Sequence, residues 1–123
     1  MSVFNKATIV IKQAINFTDF AKIDIRSGTI IDAQINPKAK KPAYILKINF
    51  GNEIGIKTSS AQLTQNYQIS DLINRKIVAV VNFAPKLIAG IKSEVLVLAT
   101  VCESQGTLLL TPEQLSLNGS EIG

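Results

Sequence analysis

At 123 residues and 46% hydrophobic composition, the chain is sized for one domain with a real core, and no second domain is needed. Thirteen basic against nine acidic residues give a net charge of +4, and the lack of any histidine removes His-based triads and zinc hydrolases. A single cysteine, Cys102, excludes an internal disulfide and a multi-cysteine metal site.

In chain order, Met1 to Asn16 is an N-terminal arm, and residues 17–123 form the folded domain. The β-branched cluster Thr8 to Ile11 within the arm fits a strand, a helical turn or an adaptable extension. The arm is not a signal peptide, because Lys12 interrupts its apolar run and no small-residue cleavage site follows. Phe17 to Ile23 predicts a short helix capped by Thr18, with Asp19 in its first turn, where the helix dipole favours an anion. Ile25 to Ile35 reads as a long strand, bulged or bent at Gly28, with Ile31, Ala33 and Ile35 on one face.

Asn36 to Pro42 is a loop held extended by two prolines and charged by Lys38, Lys40 and Lys41. Tyr44 to Phe50 alternates apolar and wetter residues, and Ile54 and Ile56 carry the alternation into a third strand ending at Lys57. TSSAQLTQNY then reads as an ordered polar loop. Ser70 is placed to cap a helical turn through Leu72 and Ile73, with Ile69 as its hydrophobic staple.

Two β-branched runs follow, Ile77 to Phe83 and Val95 to Leu98, too short for ordinary helices and predicted as strands buried on both faces. Phe83, like Phe50, reads as core. Between the runs lies a polar hinge with Pro85, Lys86, Gly90, Lys92, Ser93 and Glu94, a basic loop on a rigid scaffold. Cys102 continues a strand as a small core filler, Gly106 turns the chain, and Thr107 to Leu110 is a last strand. Thr111, Pro112 and Gln114 match a capping box for one helical turn, and Asn118 with Gly119 is a turn signal. About five bent strands with a helical plug before the fourth predict an all-β fold with short helices: a five-stranded Greek-key barrel of the oligonucleotide-binding (OB) type, with an open sandwich as its rival.

The charge is unevenly placed. From Lys38 to Lys92 there are nine basic residues and two acidic ones, a local +7, while the remainder holds four and seven, a local −3. This asymmetry fits a polyanion-facing surface as well as ordinary solvation. No P-loop or dinucleotide fingerprint occurs and the carboxylates are scattered, so neither an enzyme nor a bound cofactor or metal is expected. Candidate contacts cluster near one barrel mouth: Lys57, Ser59, Ser60, Asn82, Lys86, Ser93 and Glu94, with Lys38, Lys40, Lys41 and Lys92 as an additional basic rim. Lysines attract anions, while Ser and Asn offer short donors and acceptors to phosphate, ribose or peptide backbone. The structural alternatives are a turn cap by Ser59 and Ser60, a loop tie by Asn82, and a surface ion pair of Glu94 with Lys92 or Lys86. Aromatic rings for stacking are few, with Tyr44 and Tyr67 as the rim candidates.

The series DFAKIDIRSGTI, KPAYILKINFG, IGIKTSSAQLTQNY and VAVVNFAPKLIAGIKSEVLVL resembles the CsaA branch of the tRNA-binding-domain family, over about Asp19 to Ile122. The resemblance implies an OB-fold barrel that forms a homodimer and binds tRNA. For the CsaA branch it implies a chaperone-like role in protein export, binding unfolded precursor proteins. It carries the polar surface onto the same seven residues. Two departures stand out: Ala84 replaces a proline common beside Pro85, and Val95 and Leu96 stand where synthetase-associated relatives more often have Gly-Met. Expected partners are therefore a second copy of the chain and tRNA or unfolded polypeptide, in the cytoplasm, without membrane insertion.

Overall fold

The computed structural model describes residues 10–123. Of the β-branched cluster in the arm, Thr8 and Ile9 lie outside the described residues, while Val10 and Ile11 are exposed and in no regular element. Helix α1 (Phe17–Ala21) starts at Phe17 as expected but ends before Ile23, and the residue in the cap position is Asn16 rather than Thr18. The Asn16 N–H donates to Asp19 Oδ2 at 3.3 Å and the Asp19 N–H returns to the Asn16 carbonyl at 3.0 Å, so Asp19 does occupy the first turn.

Strands β1 (Ile25–Ile35), β2 (Tyr44–Asn49) and β3 (Ile56–Ala61) form an antiparallel meander. Helix α2 (Ile69–Leu72) leads into β4 (Lys76–Val80), which crosses back to pair with the first half of β1, and β7 (Leu96–Val97) pairs with β4. The sheet order is β3-β2-β1-β4-β7, and β7 packs against β3, so the five strands curl into a nearly closed barrel. This is the OB topology expected, not an open sandwich. Two hairpins stand on it: β5 (Lys86–Ile88) with β6 (Ile91–Ser93), and β8 (Ala99–Cys102) with β9 (Gly106–Leu109).

β1 makes the curl possible because it serves two partners. Ile25–Thr29 pairs with β4 and Thr29–Ile35 with β2, with a register shift between Ile30 and Asp32. The bulge therefore falls at Ile31 and not at Gly28, and it breaks the expected face: Ala33 is buried while Ile31 and Ile35 are exposed. Gly28 has a different task. A Cβ there would lie 2.8 Å from Ile48 Cγ2 and 2.8 Å from the Phe50 ring, so the glycine lets β1 and those side chains approach closely.

The barrel interior is filled by Ile30, Leu46, Ile48, Phe50 and Ile77, with Leu72 of α2 as its plug. Gln68 precedes α2 in place of the expected Ser70; its N–H donates to Asp71 Oδ2 at 2.8 Å. Tyr44, expected at a rim, is buried, and its hydroxyl donates to the Tyr67 carbonyl at 2.7 Å; half-buried Tyr67 accepts the Leu109 N–H on its own hydroxyl.

No helical turn forms at Thr111–Gln114. The chain instead runs on to the edge of β1 that β2 leaves open: the Gly119 N–H donates to the Ser27 carbonyl (2.8 Å) and the Ser27 N–H to the Ser120 carbonyl (2.9 Å). A capping box confers a local preference of about 1 kcal/mol, which this pairing of otherwise unsatisfied strand groups outweighs. The Asn118–Gly119 turn occurs as expected, with Gly119 at φ 88°. Asn118 Oδ1 accepts from Thr29 Oγ1 (2.7 Å) and Lys76 Nζ (2.6 Å), and burial lowers the Lys76 pKa below the usual lysine value.

Gly28→Ala is expected to destabilise the fold by about 1–3 kcal/mol through overpacking against Ile48 and Phe50, read as a lower urea midpoint with an unchanged slope.

Candidate binding groove

The site begins with β3. TSSA, expected as loop, is strand, and alternation sends its residues to opposite sides. Ser59 lies opposite Leu46 and Lys57 opposite Ile48, on the barrel side, while Ser60 lies opposite Ile45 on the other. Polar residues survive there because their groups are satisfied: buried Ser59 donates its hydroxyl to the Val95 carbonyl at 3.2 Å.

The other wall comes from Ser93–Val95, which is stitched to β3. The Glu94 N–H donates to the Thr58 carbonyl (2.8 Å), the Thr58 N–H donates to Glu94 Oε1 (3.0 Å), and buried Ser93 Oγ accepts the Ser60 N–H (3.0 Å). Glu94 is thus a backbone tie and not the surface ion-pair partner considered for it.

The expected hinge is a β-hairpin. Ala89 (φ 47°) and Gly90 (φ 85°) form its two-residue turn, with both central residues in the left-handed region. Strand β4 stops at Val80, short of the expected Phe83, because its partner β1 begins at Ile25: beyond it the Val81 N–H still reaches the Asp24 carbonyl and Asn82 turns its side chain to the Lys22–Asp24 loop. Phe83 is accordingly 55% exposed, not core. Val95–Leu98 is not buried on both faces either: Val95 is buried and Leu96 is 51% exposed.

These features enclose a concavity of about 450 Å³. Phe83, Ala84, Ile88, Val95 and Leu96 give it an apolar lining, and Ser60, Lys86, Ser93 and Glu94 edge it. A second concavity of about 240 Å³ adjoins it across Ser60 and Leu96 and runs toward Val101 and Thr107. A separate polar cleft of about 360 Å³ lies by Asp24 and Arg26, whose charges satisfy each other at 2.7 Å; that contact raises the Arg26 pKa.

Of the seven residues singled out in the sequence, Ser60, Lys86, Ser93 and Glu94 therefore line one groove. Ser59 supports it from below, and half-buried Lys57 faces the barrel side of the sheet. Asn82 is a loop tie: its Oδ1 accepts the Asp24 N–H (3.0 Å) and its Nδ2 donates to the Lys22 carbonyl (2.7 Å). Of the basic rim, Lys38 lies against the hairpin turn, where a Cβ on Gly90 would meet its Cδ at 2.9 Å, and Asn36 Nδ2 donates to the Ala89 carbonyl at 3.2 Å. Lys92 is exposed on the hairpin and Lys40 and Lys41 are exposed in the loop. Cys102 is no core filler. It is half-buried beside the Gly106 turn, and hydrogen bonding with Ser104 pulls its thiol below the usual cysteine pKa.

Sequence reasoning missed the apolar lining, assigning Phe83 and Leu96 to buried strands. The one local signal was Pro85, which cannot donate to a ladder and so marks the residues beside it as loop or edge.

A family model described as a putative tRNA binding domain matches residues 25–121. The crystal structure of the CsaA chaperone protein from Picrophilus torridus is 52% identical, covers 89% of this chain and 100% of its own, and superposes with a TM-score of 0.84. This chain is a CsaA-type member of the tRNA-binding-domain family. Chaperone CsaA from Bacillus anthracis str. Ames is 49% identical, covering 90% of this chain and 100% of its own, with a TM-score of 0.85. The family also reaches methionine–tRNA ligase of Thermococcus onnurineus, 36% identical over 108 residues, which are 88% of this chain but 14% of the ligase. The likeness to the ligase is thus to one appended region. Ala84, Val95 and Leu96 all line the groove.

Asn82→Ala is expected to lower stability by about 0.5–1.5 kcal/mol, because it removes the solvent-exposed tie to the Asp24 N–H and the Lys22 carbonyl, while leaving ligand affinity of the folded protein unchanged in a titration at low temperature.

Proposed function

We propose that this protein is a non-enzymatic binding module that holds extended segments of unfolded polypeptide, as a CsaA-like chaperone of precursor proteins. The reading rests on one observation: two large apolar side chains, Phe83 and Leu96, stand more than half exposed around a concavity with charged and hydroxyl-bearing edges. An apolar patch kept open in this way suits apolar side chains of a client, while the edge offers hydrogen bonds to its backbone. The two CsaA proteins that this chain resembles, each named a chaperone, agree with the reading. Among the described residues no helix is long and apolar enough to cross a membrane. A homodimer is part of the proposal, supported by the exposed Val101, Leu115 and Leu117, each more than 80% accessible. Equimolar protein should suppress aggregation of a chemically unfolded client measured by light scattering, and Phe83→Asp with Leu96→Asp should abolish that effect without lowering the melting temperature. Failure of the native protein on several clients would reject the reading.

A second reading, tRNA binding, is favoured by the contact of the basic loop with the basic hairpin. Asn36 and Lys38 fasten the Lys38–Lys41 loop to the turn of the hairpin that bears Lys86 and Lys92, so these cations share one edge. Such a cluster would position phosphates rather than read bases. Lys86→Glu with Lys92→Glu should weaken filter binding of tRNA and flatten its salt dependence by about one unit of slope per lost contact; Lys57→Glu, on the barrel side, should not. Lack of retention of tRNA at low salt would exclude this reading.

A further inference from the structure

We infer that the open edge of β5 accepts an extended polypeptide as a third strand of the β5–β6 hairpin, paired through the backbone of Leu87. The inference rests on the polypeptide-binding reading and states how the groove grips its client.

The register decides which backbone groups are free. With a two-residue turn at Ala89–Gly90, Ile88 and Ile91 are the closing pair and exchange both of their hydrogen bonds. Bonded and non-bonded pairs alternate in an antiparallel ladder, so Leu87 and Lys92 form a non-bonded pair and Lys86 and Ser93 a bonded one. The Leu87 N–H and carbonyl therefore point away from β6. Among the described residues neither group has a hydrogen-bond partner elsewhere, and Leu87 is 75% exposed. The other side of the hairpin is occupied, since Ser93 and Glu94 are stitched to β3.

The free edge is short and well defined. Pro85 offers no N–H at one end, and at the other the Ala89 carbonyl already accepts from Asn36. One client residue can thus exchange two hydrogen bonds with Leu87. Its own side chain would share the solvent side with Leu87, and the residues before and after it would share the side of Lys86 and Ile88, which is the side of the groove. The occupant is accordingly an extended chain with apolar side chains flanking a central residue that keeps its N–H. Lys86, which has no ion-pair partner among the described residues, adds a preference for a nearby carboxylate. Backbone pairing accounts for affinity without sequence, and the groove accounts for the apolar bias.

The test uses the full chain and a short fluorescent peptide of alternating leucine and serine, with analogues N-methylated at one serine at a time. Anisotropy should show that one methylation, and Leu87→Pro, each weaken binding about tenfold, whereas Leu87→Ala changes it by no more than about twofold. Leu87→Pro should keep its circular-dichroism melt; if it does not fold, the methylation series on the native protein decides alone. Equal affinity for every analogue would overturn strand addition while leaving the groove reading intact. No binding of the parent peptide or of any unfolded client would overturn both. Dissociation of the free protein to monomer on Leu87→Pro, seen by sedimentation, would mean that a second copy pairs with this edge, and would also overturn the inference.

Discussion

The seam between Ser93–Val95 and β3 is the contact on which both barrel and groove depend. Four hydrogen bonds cross it: the Glu94 N–H to the Thr58 carbonyl, the Thr58 N–H to the Glu94 carboxylate, the Ser60 N–H to Ser93 Oγ, and Ser59 Oγ to the Val95 carbonyl. β3 is otherwise an edge strand, with unpaired groups that water or another chain would seek. Side chains take over where the ladder of β7, only two residues long, cannot reach. The same seam fixes the hairpin at one wall of the groove and Leu96 at the other. Loss of the Glu94 carboxylate would therefore disturb closure and binding surface together.

Much of the fold was legible because hydrophobic period and turn chemistry agree along the chain. Tyr44–Asn49 alternates, Ile77–Val80 is a short β-branched run, and Gly119 requires a left-handed turn; each appears where the pattern puts it. The failures came where tertiary partners override local preference. TSSA carries no apolar signal, yet it is a strand, since its inward serine is satisfied across the seam and its backbone pairs with β2. Thr111–Gln114 has the letters of a helix start, yet it forms none, and the chain beyond it, at Gly119–Ile122, pairs with the open edge of β1.

The site was half legible. Residue types named Ser60, Lys86, Ser93 and Glu94, which the fold brings together, but they could not separate Asn82, which holds two loop segments in place, from residues available to a ligand. Nor could hydrophobicity alone show that Phe83 and Leu96 face outward, because burial depends on what lies opposite, and among the described residues nothing covers them fully. Loop and hairpin came together through Asn36, a contact between residues 53 positions apart that no local pattern encodes.

The Ser59–Ser60 pair sits astride the sheet, one hydroxyl turned to the interior and the other to the outside. Neighbours in sequence are here subject to unrelated demands: the first answers to the architecture and the second to whatever the surface meets. A descendant that had given up every ligand would still have use for the inner hydroxyl, which helps to close the seam. Drift at the outer position alone, with the inner one unchanged, would mark a protein that has changed its trade while keeping its shape.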